Sequence, residues 1–222
     1  MTRVAVLASG AGSNLQALLE HLDSRPGSTS AAVSLVVSDR AEAHALERAR
    51  LRGIPAVHVP RGAPAEALEQ ELAAHDADLV VLAGYLRLVP AAVVRRWAGR
   101  ILNVHPALLP AFGGHGMYGH RVHDAVIASG ARLSGVTVHF VDEQFDRGAI
   151  IAQWPVPVPL DDTADALAAR VLAVEHRVYP WCVEAVANGS VRLGDDGKVQ
   201  GELPYGFSGF AVEGGHPFVP DV

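Results

Sequence analysis

Arg3-Val4-Ala5-Val6-Leu7-Ala8-Ser9-Gly10-Ala11-Gly12-Ser13-Asn14-Leu15-Gln16 reads as a strand, a glycine turn and the first turn of a helix. The apolar run from Val4 to Ala8 does not alternate, so both faces of the strand are expected to be buried, as in a parallel sheet covered by helices on each side. Outward from this segment the same unit recurs. Strands are expected at 3–8, 34–38, 56–59, 79–83 and 101–105, and Ala-rich helices at 14–23, 41–51, 64–74 and 90–98, three of them opened by a capping residue or an N-terminal Pro. After Pro106 the pattern changes. A Gly-rich loop, Phe112-Gly113-Gly114-His115-Gly116, leads to a helix near 120–129 and to strands at 134–141 and 149–157, which alternate more and are joined by a short polar turn. The expected fold class is therefore α/β, with a doubly wound, mostly parallel sheet and an antiparallel strand pair toward the C-terminal half. Thr163 is placed to cap a long helix that ends at Asn188-Gly189. Beyond it come a hairpin turn at Asp195-Asp196-Gly197 and an aromatic, Gly-rich tail at 203–222, so residues 1–189 form one domain and 190–222 an appendage to it.

At 222 residues, half of them apolar and 19% charged, the chain can bury one substantial core. A net charge of −6 without any Lys/Arg block argues against a nucleic-acid partner, and an anionic ligand would need a local positive site. Cys182 is the single cysteine, which excludes an internal disulfide and fits a reducing compartment. The N-terminus has no signal-peptide pattern, and no apolar run approaches the ~20 residues of a membrane span. A cytoplasmic protein with small-molecule partners, and no membrane partner, is the expectation.

The turn Ser9-Gly10-Ala11-Gly12-Ser13-Asn14 puts backbone N–H groups and a positive dipole end where an anion would bind, with Ser13 and Asn14 as side-chain donors. A plain tight turn with an Asn cap remains the alternative for an isolated Gly-x-Gly. Leu15 occupies the position of a dinucleotide fingerprint's third glycine, although Asp39 falls near the end of the second strand, and no Gly-Lys-Ser/Thr ending exists. Both features argue against NAD and against an ATP-type loop.

Asn103 and His105 lie two apart at the carboxyl end of the fifth strand, so their side chains share a face beside the expected ligand crevice. An Asn amide can donate to a developing oxyanion, and His exchanges protons near neutral pH. Asp146, in the turn between the two later strands, would raise the pKa of His105 and order a water for proton relay. The competing reading is that Asn103 and His105 merely end a strand and Asp146 shapes a turn beside Gly148. A zinc site of His115, His120 and His123 lacks a Cys or a carboxylate partner, so no metal is expected, and His139 reads as a core residue.

These segments carry a resemblance that runs from Arg3 to about Ala187. Ser9-Gly10-Ala11-Gly12-Ser13-Asn14-Leu15-Gln16, Leu82-Ala83-Gly84-Tyr85-Leu86-Arg87-Leu88, Asn103-Val104-His105-Pro106-Ala107-Leu108-Leu109-Pro110, Gly135-Val136-Thr137-Val138-His139-Phe140-Val141, Asp146-Arg147-Gly148, Ile150-Ile151-Ala152-Gln153 and Glu175-His176-Arg177-Val178-Tyr179-Pro180 together resemble the glycinamide ribonucleotide formyltransferases of purine biosynthesis. The resemblance implies that Gly12, Ser13 and Asn14 hold a 5′-phosphate, with Glu175 near the ribose. It implies that 10-formyltetrahydrofolate, as co-substrate, lies along Leu86, Arg87, Leu88 and Val89 and against Val141, Asp142 and Glu143. Asn103 and His105 would stabilise a tetrahedral intermediate, with Asp146 tuning His105, and no metal is required. Three departures stand out. Ala65 falls where relatives carry an Arg for the folate tail, leaving Arg61 as a substitute only if its loop rearranges. His115 replaces a Lys, and the tail lies beyond the resemblance. A formyltetrahydrofolate deformylase would share the trio but has no use for a phosphate loop. Methionyl-tRNA formyltransferase is disfavoured by the acidic charge and the missing RNA-binding domain, and a non-catalytic nucleotide-binding module would lack the trio. Monomer and homodimer stay equally open.

Overall fold

The computed structural model describes residues 1–25 and 30–203. The mainly apolar runs become strands β1 (Thr2–Leu7), β2 (Ala31–Ser38), β3 (Ala56–His58), β4 (Leu79–Leu82) and β5 (Ile101–His105), all mutually parallel where they pair. Two further strands, β6 (Leu133–Phe140) and β7 (Ile150–Pro157), complete a seven-stranded sheet of order β3-β2-β1-β4-β5-β6-β7 with antiparallel β5/β6 and β6/β7 pairs. The helices are α1 (Ser13–Asp23), α2 (His44–Leu51), α3 (Ala65–Ala74), α4 (Ala91–Arg96), α5 (His120–Ser129) and α6 (Ala164–Ala187). Last come the short strands β8 (Val191–Leu193) and β9 (Val199–Gly201), paired as the hairpin expected around Gly197. The tail expected after Leu203 lies outside the described residues.

Alternation along the strands sorts the core into two layers. Val4, Val6 and Ala8 pack with α1, α2, α5 and α6, whereas Ala5 and Leu7 face the other way, onto α3 and α4. The same split holds in β4, with Leu79, Val81 and Ala83 on the first side and Val80 and Leu82 on the second. Strand order reverses between β1 and β4, which leaves a crevice beyond their carboxyl ends. The two loops there are tied together. Ser9 N–H donates to the Gly84 carbonyl at 3.1 Å, and Leu86 N–H donates to Ser9 Oγ at 3.0 Å.

Past β5 the second layer runs out of helices. Val136, Val138 and Phe140 of β6 belong to the first layer, so Thr137 and His139 point to the opposite face, alongside Asn103 and His105. The loop after β5 packs over this face. Thr137 Oγ1 donates to the Ala107 carbonyl at 2.7 Å and accepts from Leu109 N–H at 3.0 Å, and Gln153 Nε2 donates to the Leu109 carbonyl at 2.8 Å. Two boundaries differ from expectation for physical reasons. β2 begins at Ala31, three residues early, because mostly half-buried residues at its start, which carry a weak apolar signal, pair in register with Thr2, Arg3 and Val4 of β1. α4 stops at Arg96 because Trp97 leaves helical geometry as its ring is buried and Gly99 turns the chain at φ 69°.

Candidate active site

His105 is 3% exposed at the end of β5. One ring nitrogen, Nε2, lies 2.9 Å from the Phe112 carbonyl oxygen. A carbonyl only accepts, so the proton sits on Nε2, and Nδ1 turns toward Asp146 Oδ2, 3.6 Å away. Asp146 arrives on the loop between β6 and β7 in the left-handed region, at φ 55°, which Asp tolerates better than most residues. Its Oδ2 accepts Gly114 N–H at 2.9 Å, joining the β6–β7 loop to the Gly-rich loop. Gly148 makes this placement possible, because a Cβ there would stand 1.8 Å from the Phe140 carbonyl oxygen. Asp146 raises the pKa of His105 as expected, but it does not set the net direction. Burial lowers its pKa by more than Asp146 and the Phe112 contact raise it, so the ring is held below its ordinary value.

His139, buried as expected, does more than fill the core. Its Nδ1–H donates to the Phe140 carbonyl at 2.8 Å, which leaves Nε2 as an acceptor for Asn103 Nδ2 at 3.1 Å. The Asn103 carboxamide is thereby oriented, with one amide N–H engaged and the other available to a ligand. His139 Nε2 also lies 3.8 Å from Asp146 Oδ1. The signal for this pair was the cross-strand register Asn103↔His139, which exists only once β5 and β6 are aligned.

A cavity of about 530 Å³ brings most of the expected residues together. Leu86, Arg87, Leu88, Val89 and Val141 line it along with Asn103, His105 and Asp146, as do Asn14 and Glu175. Gly12 forms the left-handed head of α1 at φ 72°, and Ser13 borders a second cavity on the other side of that helix. Asp142 and Glu143 stand away from the first cavity. Asp142 Oδ1 accepts Gln144 N–H at 2.8 Å, and Glu143 pairs with Arg95 at 3.2 Å, while Gln144 and Phe145 face the cavity in their place. Arg61 is engaged elsewhere, its Nε 3.0 Å from the buried Asp39 carboxylate.

Asn14 Nδ2 donates to Glu175 Oε2 at 2.7 Å, and both residues are buried. Burial pushes Glu175 up to about 7, with the Asn14 contact opposing it. Asn14 Oδ1 is buried without a partner. The histidines near the mouth serve separate contacts. His115 meets Phe145 edge-on at 6.0 Å, and His120 lies 3.1 Å from Asp124 and 2.8 Å from Asp165, which raise its pKa. Among the described residues, no three His, Cys, Asp or Glu side chains are grouped to hold a metal ion. Among them, too, no helix is long and apolar enough to cross a membrane.

Set against known proteins, residues 2–183 match the formyl transferase family. The chain is 45% identical over 202 residues to the chloroplastic phosphoribosylglycinamide formyltransferase of Vigna unguiculata, covering 88% of this chain and 64% of that protein. To the phosphoribosylglycinamide formyltransferase of Haemophilus influenzae it is 37% identical over 224 residues, covering 96% and 100%. Its fold superposes on the crystal structure of phosphoribosylglycinamide formyltransferase from Anaplasma phagocytophilum with a TM-score of 0.81, at 40% identity over 90% of this chain and 93% of the other. A formyltetrahydrofolate deformylase from Pseudomonas syringae aligns at 27% identity with a TM-score of 0.78, covering 89% of this chain and 65% of that one. The chain thus spans about two thirds of the Vigna protein but the full length of the Haemophilus one. With every element of the site, from Gly12 to Glu175, inside the matched segment 2–183, this chain belongs to the formyl transferase family.

Proposed function

We propose that the enzyme transfers the formyl group of 10-formyltetrahydrofolate to the primary amine of 5′-phosphoribosylglycinamide, a step of de novo purine biosynthesis carried out in the cytoplasm. The observation that carries this reading is one cavity shared by two kinds of wall. Apolar residues and Arg87 suit a flat, carboxylate-bearing donor, Asn14 and Glu175 suit a hydroxylated acceptor, and Asn103, His105 and Asp146 line the same space. Its volume of about 530 Å³ falls in the range of ligand sites.

The chemistry follows from the hydrogen-bond roles. The acceptor amine attacks the formyl carbon, and the formyl oxygen, now negative, takes a hydrogen bond from the free N–H of Asn103. His105 is held neutral by burial, so its Nδ1 can accept the amine proton, and Asp146 balances the imidazolium charge across 3.6 Å. Collapse breaks the bond from the formyl carbon to N10 of the folate, and the proton returns to that nitrogen. Asn103, His105 and Asp146 thus serve as catalytic residues, Gly12, Ser13, Asn14 and Glu175 as the acceptor site, and Leu86 to Val89 with Val141 as the donor site.

Purified protein given both substrates is expected to produce formylated nucleotide and tetrahydrofolate, with His105→Ala and Asp146→Ala slowing turnover by roughly 10²- to 10⁴-fold. Formate released at the same rate without the nucleotide would instead establish a deformylase.

A further inference from the structure

The loop at the head of α1, Gly10-Ala11-Gly12-Ser13-Asn14, contains no cationic side chain. Asn14 cannot make up the deficit in the arrangement seen here. Its Nδ2 gives one of its two N–H groups to Glu175 at 2.7 Å, and its unpartnered Oδ1 presents an acceptor, so this residue offers a phosphate neutral N–H donors and no charge. Glu175 itself brings a carboxyl group to the same place, which disfavours a second anion whenever it ionises. The helix N-terminus can bind a phosphate through its backbone N–H groups, and a positive charge from elsewhere in the chain would strengthen and select for that binding.

The tertiary structure delivers one. Arg48, on α2, reaches across so that its Nε–H donates to the Ala11 carbonyl at 2.8 Å and its Nη1 donates to Gln16 Oε1 at 3.2 Å. The loop is pressed closely against this helix. A Cβ on Gly12 would stand 2.9 Å from Ala45 Cα and 3.3 Å from Arg48 Cδ. Arg48 therefore brackets the loop on both sides of Gly12, and a guanidinium has five donors, of which these contacts use two. Beside it opens the second cavity, about 560 Å³, bordered by Ser13, Gln16, Arg48, His176 and Arg177, with Glu20 as its carboxylate.

We propose that Arg48 is the specificity-determining residue for a phosphorylated acceptor, fixing the α1 loop through the Ala11 carbonyl and supplying the charge the loop lacks. The inference rests on the proposed phosphorylated substrate. Its test compares the nucleotide with the dephosphorylated ribosylglycinamide as acceptors for the wild type, Arg48→Met and Arg48→Lys, with thermal melts of each. Arg48→Met is expected to lower kcat/KM for the nucleotide by roughly 10- to 100-fold, mainly through KM, to leave the dephosphorylated acceptor within about threefold, and to be partly rescued by Lys. Equal losses with both acceptors, or no loss with the nucleotide, would overturn the role of Arg48. A wild type that does not distinguish the two acceptors would overturn the phosphorylated-substrate reading, and this proposal with it. Should Arg48→Met fail to fold, Arg48→Gln and Arg48→Lys give the same comparison, with charge as the only intended difference in the loop contact.

Discussion

Asn103 and His139 work as a pair: the imidazole holds the carboxamide at 3.1 Å, and the Phe140 carbonyl holds the imidazole. Removing the proposed oxyanion donor by Asn103→Ala is expected to cost roughly 10²- to 10³-fold in kcat, and His139→Ala roughly 10-fold through loss of orientation. The double variant should be no slower than Asn103→Ala alone, a result that additive losses would contradict. Glu175 offers a second test, through stability. Its folded pKa is raised from 4.5 to about 7, so the folded state is fully favoured below the unfolded value and loses stability as pH rises through about 7. The cost above that pH is about 3 kcal/mol. Glu175→Gln keeps an acceptor for Asn14 without the charge, so its melting temperature should exceed the wild type's at pH 8, and the gap should narrow toward pH 5. A constant difference between the two would sink the assignment.

Asn103 and His105 stand on β5, and the β6–β7 loop brings Asp146 to them, with its glycine setting how closely it approaches. Gly148→Ala would drive a Cβ to 1.8 Å from the Phe140 carbonyl oxygen and displace the turn that carries Asp146. Activity should fall with the Asp146→Ala phenotype and melting temperature should drop as well, whereas full activity in this variant would contradict the turn geometry. Helix α6 was legible down to its cap, because Thr163 Oγ1 accepts Ala166 N–H at 3.2 Å through contacts local in sequence. Its capping bond is worth about 1 kcal/mol, which Thr163→Ala should remove in denaturant titrations. The start of β2 and the end of α4 were less legible, since a half-buried strand start and a buried Trp97 take their conformation from neighbours distant in the chain.

The molecule as a whole buries several titratable rings. Burial lowers the pKa of His105, His123, His139 and His176 below 6.5, whereas exposed His120 is raised by its hydrogen bonds to Asp124 and Asp165. A histidine depressed in the folded state protonates first in the unfolded chain, so its stabilising contribution is complete above pH 6.5 and declines as pH falls below it. His120, the raised ring, is solvent-exposed, so its opposing contribution is screened. Glu175 acts in the opposite direction over the same range, so the rings are best read in the Glu175→Gln variant. Its melting temperature, without ligands, should decline from pH 7 to pH 5, and an increase over that range would show that groups other than the buried rings govern stability there.

The strand, glycine turn and helix at Arg3 to Gln16 already implied a doubly wound α/β sheet, because apolar periodicity and turn chemistry are properties of neighbouring residues. The carboxyl end of β5, with Asn103 and His105 on one face, followed from the same local rule. Other features could not. The Asn103↔His139 pair depends on antiparallel register, the contact of Arg48 with Ala11 depends on how α2 packs beside α1, and the lowered pKa of His105 depends on burial outweighing the pull of Asp146. Each joins residues separated by dozens of positions. Sequence alone determined which groups were available, and packing decided which of them meet and in what protonation state.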